Sequence, residues 1–168
     1  MERNQVRETT DQDEAVVLQL MTEYMTWALA TFEETYGFAM GLDARHTSAD
    51  LDKFRRPTGL MGLAEVDGSP AGVAALRAQD DGVVEIKRMF VRPEHRGEHV
   101  GSAMLDWLLE RSRADFGART VRLDSNRFMT GAHRLYESRG FVERTPYPGS
   151  EIPGELQHLW RFYELSLD

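Results

Sequence analysis

The residues best suited to chemistry form a glycine-bearing turn at positions 96–102, with the sequence RGEHVGS. The turn follows the apolar stretch VVEIKRMFV and precedes apolar residues at helical spacing. Glycine lets a backbone approach a ligand closely, and the first N–H groups of a helix lack intrahelical acceptors. Because the helix dipole adds about half a positive charge there, such a turn is typical of a pyrophosphate site. Taken alone the motif is weak, since glycines at helix entries are also common in loops that bind nothing.

The charges around this turn favour a small anionic ligand over a polymer. Residues 87–101 carry four basic and two acidic residues, whereas the whole chain of 168 residues has a net charge of -8. The 20 basic residues are otherwise scattered, so the composition does not predict nucleic-acid binding. The chain has no cysteine and its five histidines show no ligand spacing, so we expect no metal site.

The elements that position the turn can be predicted from apolar spacing and turn residues. NQVRET reads as a short strand, and the segment from Thr10 or Asp11 to Phe32 as a long helix. TSADLDKFRR reads as a short helix that ends before Pro57. Two turn sequences, DGSP and DDG, then separate three strands, so residues 60–91 are predicted to form an antiparallel meander.

The second half of the chain alternates helices and strands. Apolar residues from Val100 to Leu108 fall on one helix face, and Gly117 is placed to end that helix. RTVRLDS follows as a strand, which implies a parallel pair with the strand before the turn. The remaining predicted elements are a helix over NRFMTGAHRLYESRG with Ala132, Leu135 and Tyr136 on one side, and strands at FVERTPY and HLWRFYELSL.

This order of motifs resembles the GNAT superfamily of N-acetyltransferases over nearly the whole chain. The resemblance is most specific from Glu85 to Val142, where EIKRMFV, RGEHVGSA and LYESRGF occur in the family's order. It implies one α/β domain over residues 1–168, with a mixed, mostly antiparallel central sheet of six to seven strands. The sheet would be splayed between its fourth and fifth strands and flanked by about four helices.

The resemblance also implies acetyl-CoA as the co-substrate. Its pyrophosphate would lie on the turn, its pantetheine arm would pair with the strand before it, and Asn126 would hold a cofactor amide unless it is only the N-cap of the next helix. The implied cofactor residues are Met89, Phe90, Val91, Arg96, Gly97, Glu98, His99, Val100, Gly101, Ser102 and Asn126. The Met89 N–H would face the thioester oxygen and stabilise an oxyanion. His99 departs from the family pattern, which has glycine there, so it is either a strained residue at positive φ or a phosphate contact.

Two residues have implied catalytic roles, each beside a plainer interpretation. Glu85 would be the general base for an amine, or else a strand carboxylate paired with Lys87 or Arg88 on the sheet surface. Tyr136 would donate a hydrogen bond to the departing thiolate, or else bury its ring beside Leu135 and Phe141. A phenol (pKa about 10) is a weaker acid than a thiol (about 8.5), so hydrogen bonding rather than full proton transfer suffices.

The acceptor is the part that the sequence defines least. In the family the N-terminal helix region forms the acceptor wall, so Tyr24, Trp27 and Phe32 are candidates for lining it, although such an aromatic run is mostly core. We expect a small-molecule or peptide amine, with net acidity weakly favouring a cationic one. The alternative function is a non-catalytic acyl-CoA binding or sensing module of the same fold. A phosphate-handling enzyme is disfavoured because no Walker lysine follows the glycines.

The expected cellular location and oligomeric state rest on general features of the sequence. The N-terminal MERNQVRETTDQDE is polar where a signal peptide needs an apolar run, and the longest uncharged stretches are far too short to span a membrane. A cytoplasmic protein is therefore expected. Proteins of the resembled family often dimerise, and HLWRFYELSL is a candidate strand for a homodimer contact.

Overall fold

The computed structural model describes residues 3–168; Met1 and Glu2 lie outside the described residues. Within residues 3–168, seven strands form one sheet in the order β1-β2-β3-β4-β5-β7-β6. Their bounds are β1 Asn4–Glu8, β2 Gly59–Val66, β3 Ser69–Ala78, β4 Val83–Val91, β5 Thr120–Asn126, β6 Val142–Arg144 and β7 Trp160–Ser166. β4 pairs with β5 in parallel, whereas the pairs β1–β2, β2–β3, β5–β7 and β6–β7 are antiparallel. The predicted mixed, mostly antiparallel sheet is confirmed.

The helices differ in type and bounds from those predicted. Among residues 3–168, the α-helices are α1 Glu14–Tyr36, α2 Val100–Phe116 and α3 Thr130–Ser138. The predicted short helix around Leu51 is a 3-10 helix, Ser48–Phe54, and α1 continues four residues beyond its predicted end at Phe32. Gly37, at φ 82°, closes α1 with its N–H donating to the Glu33 carbonyl at 2.8 Å. This left-handed glycine is the terminator that the sequence prediction missed.

Left-handed residues make the two hairpin turns. Asp67 and Gly68 have φ of 49° and 83° between β2 and β3, and Asp81 and Gly82 have φ of 59° and 73° before β4. Two consecutive residues at positive φ match the right-handed twist of a strand pair, and aspartate and glycine are the residues that tolerate them. The predicted turns at DGSP and DDG are therefore confirmed.

The chain divides into two compact units. One contains the chain up to Arg77 together with Lys87–Leu108, and the other contains Ala78–Ile86 together with Leu109–Asp168. The division falls inside β4 and inside α2, so the predicted site residues belong to both units. The predicted single domain over residues 1–168 stays a prediction.

In the first unit, the two faces of the sheet carry residues of different size. One face of β2 and β3 presents larger side chains to α1 and to the 3-10 helix at residues 48–54, and Phe90 of β4 joins this core. Its buried members are Val17, Leu20, Met21, Leu51, Phe54, Met61, Leu63, Val73, Ala75 and Phe90. The other face has glycine at 62 and 72, where a Cβ would come within 2.6 Å of Trp107 and of the Phe90 carbonyl oxygen, respectively. These glycines let α2 pack close to the sheet.

In the second unit, β7 lies between β5 and β6 rather than at an edge. It pairs with β5 along all of Trp160–Ser166 and with β6 at residues 162–164. The C-terminal strand therefore already has strand partners within the chain on both sides, which disfavours the dimer contact that the sequence suggested for it. β4 and β5 pair only over Val83–Glu85 and Thr120–Arg122, at the start of both strands.

The region between β5 and α3 corrects two details of the sequence analysis. α3 begins at Thr130, four residues later than predicted, and Asn126 is the last residue of β5. The Asn126 side-chain oxygen accepts from the Phe128 N–H at 3.2 Å and its carbonyl from the Met129 N–H at 2.9 Å. Asn126 therefore forms a turn, and the N-cap interpretation was wrong. The buried residues of α3 are His133 and Tyr136, whereas Ala132 and Leu135 are half-buried.

Candidate functional site

The predicted ligand turn joins β4 to α2 within the first unit. A 3-10 helix at Pro93–His95 leads into Gly97 at φ 82° and His99 at φ 65°, and α2 starts at Val100. The Ala103 N–H donates to the His99 carbonyl at 3.1 Å and so begins the hydrogen-bond ladder of α2. A Cβ placed at Gly97 would meet no atom within 4 Å. Open space at Gly97, three residues before a helix start whose first N–H groups lack intrahelical acceptors, suits an anion.

Side chains from the N-terminal segment hold this turn through Glu98. The Asn4 side-chain amide donates to the Glu98 carbonyl at 2.6 Å, and the Arg3 guanidinium donates to the Glu98 carboxylate at 3.4 Å. His95 Nδ1 lies 3.4 Å from the other carboxylate oxygen. Because the Glu98 side chain is engaged by these neighbours, its backbone is the part suited to contact a ligand.

Two of the arginines near the turn make contacts within the unit. Arg96 donates to the Val91 carbonyl at 3.3 Å, and its guanidinium lies 5.3 Å from the centre of the Trp27 ring. Arg92 donates to the Glu23 carboxylate at 2.8 Å and to the Pro70 carbonyl at 3.1 Å. An anion at the turn would therefore rely on backbone N–H groups more than on Arg92.

The end of β4 combines a buried aromatic ring with an irregular backbone. Arg88 has φ of 57°, a left-handed conformation within a strand, and it directly precedes the predicted cofactor residues Met89, Phe90 and Val91. Met89 and Val91 are half-buried, whereas Phe90 is buried and stacks on Tyr24 with centroids 5.5 Å apart. A left-handed residue interrupts the regular alternation of a strand. This conformation could not be predicted from the sequence, because an arginine stands where glycine usually marks such a position.

Of the three aromatic residues predicted to line an acceptor site, Trp27 lines a surface groove, Tyr24 is half-buried and Phe32 lies in the core. An open, mainly apolar groove of about 670 Å³ runs along one side of α1, and Trp27 and Phe90 line it. Tyr24 is half-buried against Phe90. Phe32 is only 2% exposed and packs edge-on against the rings of Tyr36 and Phe38. We therefore leave Phe32 out of any proposed wall.

In the second unit, Glu85 is a buried carboxylate with identified donors. It is 2% exposed, so the interpretation as a charge on the sheet surface was wrong. The Tyr147 hydroxyl donates to one carboxylate oxygen at 2.7 Å, and the Gln79 amide donates to the other at 3.3 Å. Buried carboxylates require such partners, because an unpaired buried charge is costly.

Tyr147 is the site residue that the sequence analysis missed. It is buried, its ring packs edge-on against Phe162 at 5.4 Å, and its hydroxyl lies 3.5 Å from an Asp124 oxygen. Burial, with the nearby charges of Asp124 and Glu85, raises the pKa of the Tyr147 hydroxyl well above its ordinary value. Its only sequence signal was a tyrosine between two prolines, in the segment PYPG after β6.

A cavity of about 290 Å³ opens beside Glu85 and Tyr147. Its lining combines polar side chains with the turn before β4 and the loop after β6. The lining residues are Gln79, Asp80, Asp81, Val83, Glu85, Arg122, Tyr147, Pro148 and Gly149. Arg122 donates to the Glu164 carboxylate at 2.7 Å, so its charge is already paired within the unit. The cavity is thus lined by three carboxylates and one paired guanidinium, and this charge distribution favours a cationic or neutral ligand.

The other predicted residues of this unit lie in its interior. Tyr136 is 7% exposed, with its ring 5.8 Å from Phe141 and 6.0 Å from Tyr163 between centroids. Asn126 is also buried, at 2% exposed. The Oγ atom of its neighbour Ser125 lies 3.1 Å from the Nε2 atom of His133. Burial lowers the pKa of the His133 imidazole. Tyr136 therefore has a structural role in the core whatever its chemistry.

The described residues contain neither a metal-binding cluster nor a membrane-spanning helix. Within residues 3–168, no cluster of three or more histidine, aspartate or glutamate side chains has an arrangement that would hold a metal ion. In the same part of the chain, no helix combines the length and the apolar character needed to cross a bilayer.

Comparisons with curated proteins extend these observations. The chain is 33% identical over 122 residues to an uncharacterized N-acetyltransferase of Schizosaccharomyces pombe, a match that covers 69% of this chain and 74% of the relative. It is 30% identical over 118 residues to N-acetylaspartate synthetase of Xenopus tropicalis, and 29% identical over 99 residues to an IAA acetyltransferase of Azospirillum brasilense. The matches cover 68% and 58% of this chain, but only 43% and 64% of those two relatives.

Solved structures share the fold at low sequence identity. An acetyltransferase from Salmonella typhimurium, determined with its cofactor acetyl-CoA, has a TM-score of 0.72 at 18% identity over 99% of this chain and 95% of that one. An acyl-CoA N-acyltransferase from Klebsiella pneumoniae has a TM-score of 0.71 at 21% identity over 98% of both chains. The profile of the acetyltransferase (GNAT) family matches residues 19–141. The chain therefore belongs to the GNAT family of acetyltransferases.

Proposed function

We propose that this protein is an N-acetyltransferase that transfers an acetyl group from acetyl-CoA to a primary amine by direct attack while both are bound. The observation that carries the proposal is the buried Glu85, held by Tyr147 beside a cavity lined with carboxylates. A carboxylate in this setting is suited to receive a proton from an ammonium group. Family membership supplies the acetyl-group chemistry.

The turn between β4 and α2 has the properties that acetyl-CoA requires. Its pyrophosphate would be held by backbone N–H groups of Gly97–Ser102, at the positive end of a 17-residue helix. Met89, Phe90 and Val91 would flank the pantetheine arm, and Asn126 would bind an amide of the same ligand. The thioester then supplies the activated acetyl group. In this arrangement Arg96 supports the turn through Trp27 and Val91.

The role proposed for Glu85 follows from the acidity of the acceptor. An alkyl ammonium has a pKa of about 10.4, so removing its proton at pH 7 costs about 4.6 kcal/mol. A carboxylate in direct or water-bridged contact offsets part of this cost and leaves the nitrogen lone pair free to attack. The Met89 N–H would stabilise the charge that develops on the acyl oxygen, and Tyr136 would donate to the departing sulfur.

The acceptor class follows from the carboxylates around the cavity. N-acetylaspartate synthetase, one of the relatives, is named for an acidic acetylated product. Asp80, Asp81 and Glu85 would repel an acidic acceptor, since Arg122 is already paired with Glu164. We therefore propose a cationic or neutral amine, either a small molecule or a peptide, in preference to aspartate.

His99→Gly is expected to raise the free energy of unfolding by about 0.5–1 kcal/mol, with less than a twofold change in acetyl-CoA affinity. The left-handed backbone at φ 65° strains a histidine but not a glycine, and a preformed turn carries that strain both with and without ligand. Urea unfolding and calorimetric titration with acetyl-CoA would measure the two quantities.

Asp67→Gly is the matched control for His99→Gly, because Asp67 also has positive φ, at 49°, in the turn between β2 and β3. It relieves the same kind of strain outside the proposed ligand turn. A loss of acetyl-CoA affinity in His99→Gly alone would contradict the expectation and identify the imidazole as a phosphate contact.

The activity itself is tested by incubating the protein with acetyl-CoA and a panel of amines that includes aspartate, cationic amines and peptides. Release of free thiol that requires both the protein and an amine would support the proposal. Calorimetric binding of acetyl-CoA without thiol release for any amine would instead favour the non-catalytic acyl-CoA binding or sensing module. A cytoplasmic location, a homodimer and a single domain remain expectations.

A further inference from the structure

The contact between Tyr147 and Glu85 joins parts of the chain that are 62 residues apart. Tyr147 lies between Pro146 and Pro148 in the loop after β6, where proline fixes the backbone φ on both sides. Its side chain is buried and its ring is packed against Phe162. The hydroxyl is therefore held in a defined place by its own unit.

The hydroxyl has one proton and two nearby carboxylates. It lies 2.7 Å from a Glu85 oxygen and 3.5 Å from an Asp124 oxygen, so the proton is directed mainly at Glu85. Because burial and the two carboxylates raise the pKa of Tyr147, the phenol remains neutral and acts as the donor. A hydrogen bond of this kind to a carboxylate stabilises its ionised form.

We propose that Tyr147 is a positioning residue, which holds the Glu85 carboxylate oriented beside the cavity to accept the acceptor's proton. This inference rests on the proposed N-acetyltransferase function. Tyr147 contacts one Glu85 oxygen, while the other lies near Gln79, whose side chain lines the cavity. The Glu85 oxygen near Gln79 therefore lies beside the cavity lining, and we expect an amine to approach the carboxylate from this cavity.

Several charged groups surround this pair and contribute to its behaviour with pH. Asp124 approaches from β5, and Asp80 and Asp81 line the cavity from the turn before β4. The guanidiniums of Arg122 and Arg144 lie 5.5 Å and 5.9 Å from the centre of the Tyr147 ring. Removing the Tyr147 hydroxyl leaves all five charges in place, so its own contribution can be isolated.

Tyr147→Phe is expected to lower kcat for the best amine by about tenfold at neutral pH, with the KM for acetyl-CoA unchanged. The acid limb of the kcat/KM profile should move to higher pH, because a carboxylate that loses a donor is protonated more readily. A purely structural role would lower the rate at all pH values without moving that limb. Tyr163→Phe is the matched control, since it removes another buried hydroxyl, which donates to Glu137 at 3.2 Å.

A second measurement does not depend on turnover or on the stability of Tyr147→Phe. In protein carrying 13C at the tyrosine ring carbon that bears oxygen, the Tyr147 resonance, assigned through its contact with Phe162, should not titrate near pH 10, where an ordinary tyrosine does. Glu85→Gln should bring that titration to lower pH by removing one repelling carboxylate. Ordinary titration of Tyr147 in the wild-type protein would overturn the inference.

The failures of the two proposals can be told apart. If wild-type protein releases no thiol with any amine, the proposed function fails, and the positioning role fails with it. If wild-type protein is active but the pH profiles of Tyr147→Phe and wild type coincide, only the positioning role is overturned.

Discussion

Glu85→Gln is expected to lower kcat/KM for an amine by about 10²- to 10³-fold at pH 7, with acetyl-CoA affinity essentially unchanged. General base catalysis is worth roughly this factor, and glutamine keeps the shape of the side chain while losing its basicity. Glu85 is 2% exposed and accepts from both Tyr147 and Gln79, so an isosteric amide can keep part of that network. The measurement is initial-rate thiol release across a range of amine concentrations.

The loss of kcat/KM caused by Glu85→Gln should become smaller as the pH rises. The base is needed only to remove the ammonium proton. For an amine of pKa about 10.4, the concentration of free amine in solution rises about tenfold for each unit by which the pH increases below that pKa. At pH 9 to 10 the variant should therefore approach the wild-type rate to within about tenfold. A loss caused by misfolding would not recover in this way, so the pH dependence separates chemistry from structure.

Asp124→Asn is the matched control for Glu85→Gln. Asp124 is the other carboxylate near the Tyr147 hydroxyl, at 3.5 Å, and it is less buried than Glu85. If Glu85 is the base, Asp124→Asn should lose less than about tenfold and its loss should not depend on pH. If Asp124→Asn instead loses more activity than Glu85→Gln, then Asp124 is the base. If both variants keep the wild-type rate, neither carboxylate acts as a base in the mechanism.

Local chemistry explains why most elements were predictable from sequence. Aspartate and glycine pairs at 67–68 and 81–82 specify their turns through positive φ, which few other residues adopt. Gly117 and Gly140 follow α2 and α3 at φ of 57° and 92°, close to where those helices were predicted to end. Such signals act over a few residues, so they can be read without knowledge of the fold.

Long-range contacts explain what the sequence could not show. One partner of Glu85 is Tyr147, which is 62 residues away and lies in the segment between β6 and β7. Arg88 has positive φ inside β4 without any glycine to mark it. Asn126 was mistaken for an N-cap because asparagine favours turns and caps for the same reason, a side-chain oxygen that accepts from nearby backbone N–H groups. The local sequence allowed Asn126 to be either a turn residue or an N-cap, and the tertiary structure determined which of the two it became.

Tyr136→Phe is expected to slow thiol release by about 10- to 100-fold, which is the loss of one hydrogen bond to a charged group in the transition state. The ring sits between Phe141 and Tyr163, so phenylalanine preserves the packing and removes only the oxygen. Acetyl-CoA should bind with unchanged affinity, because the thiolate charge develops only as the carbon–sulfur bond breaks. Single-turnover thiol release and calorimetric binding of acetyl-CoA measure the two effects.

Tyr163→Phe again supplies the comparison, since Tyr163 is fully buried and its ring centre is 6.0 Å from that of Tyr136. Removing either hydroxyl should cost similar stability, but only the Tyr136 change should slow the chemical step. A phenol is less acidic than a thiol by about 1.5 pKa units, so full proton transfer would run uphill by about 2 kcal/mol. The effect of Tyr136→Phe should therefore fall as the leaving thiol becomes more acidic, because a more stable thiolate depends less on a donor. If Tyr136→Phe slows the reaction equally for acyl donors of different thiol acidity, then Tyr136 has a structural role only and does not assist the leaving thiolate.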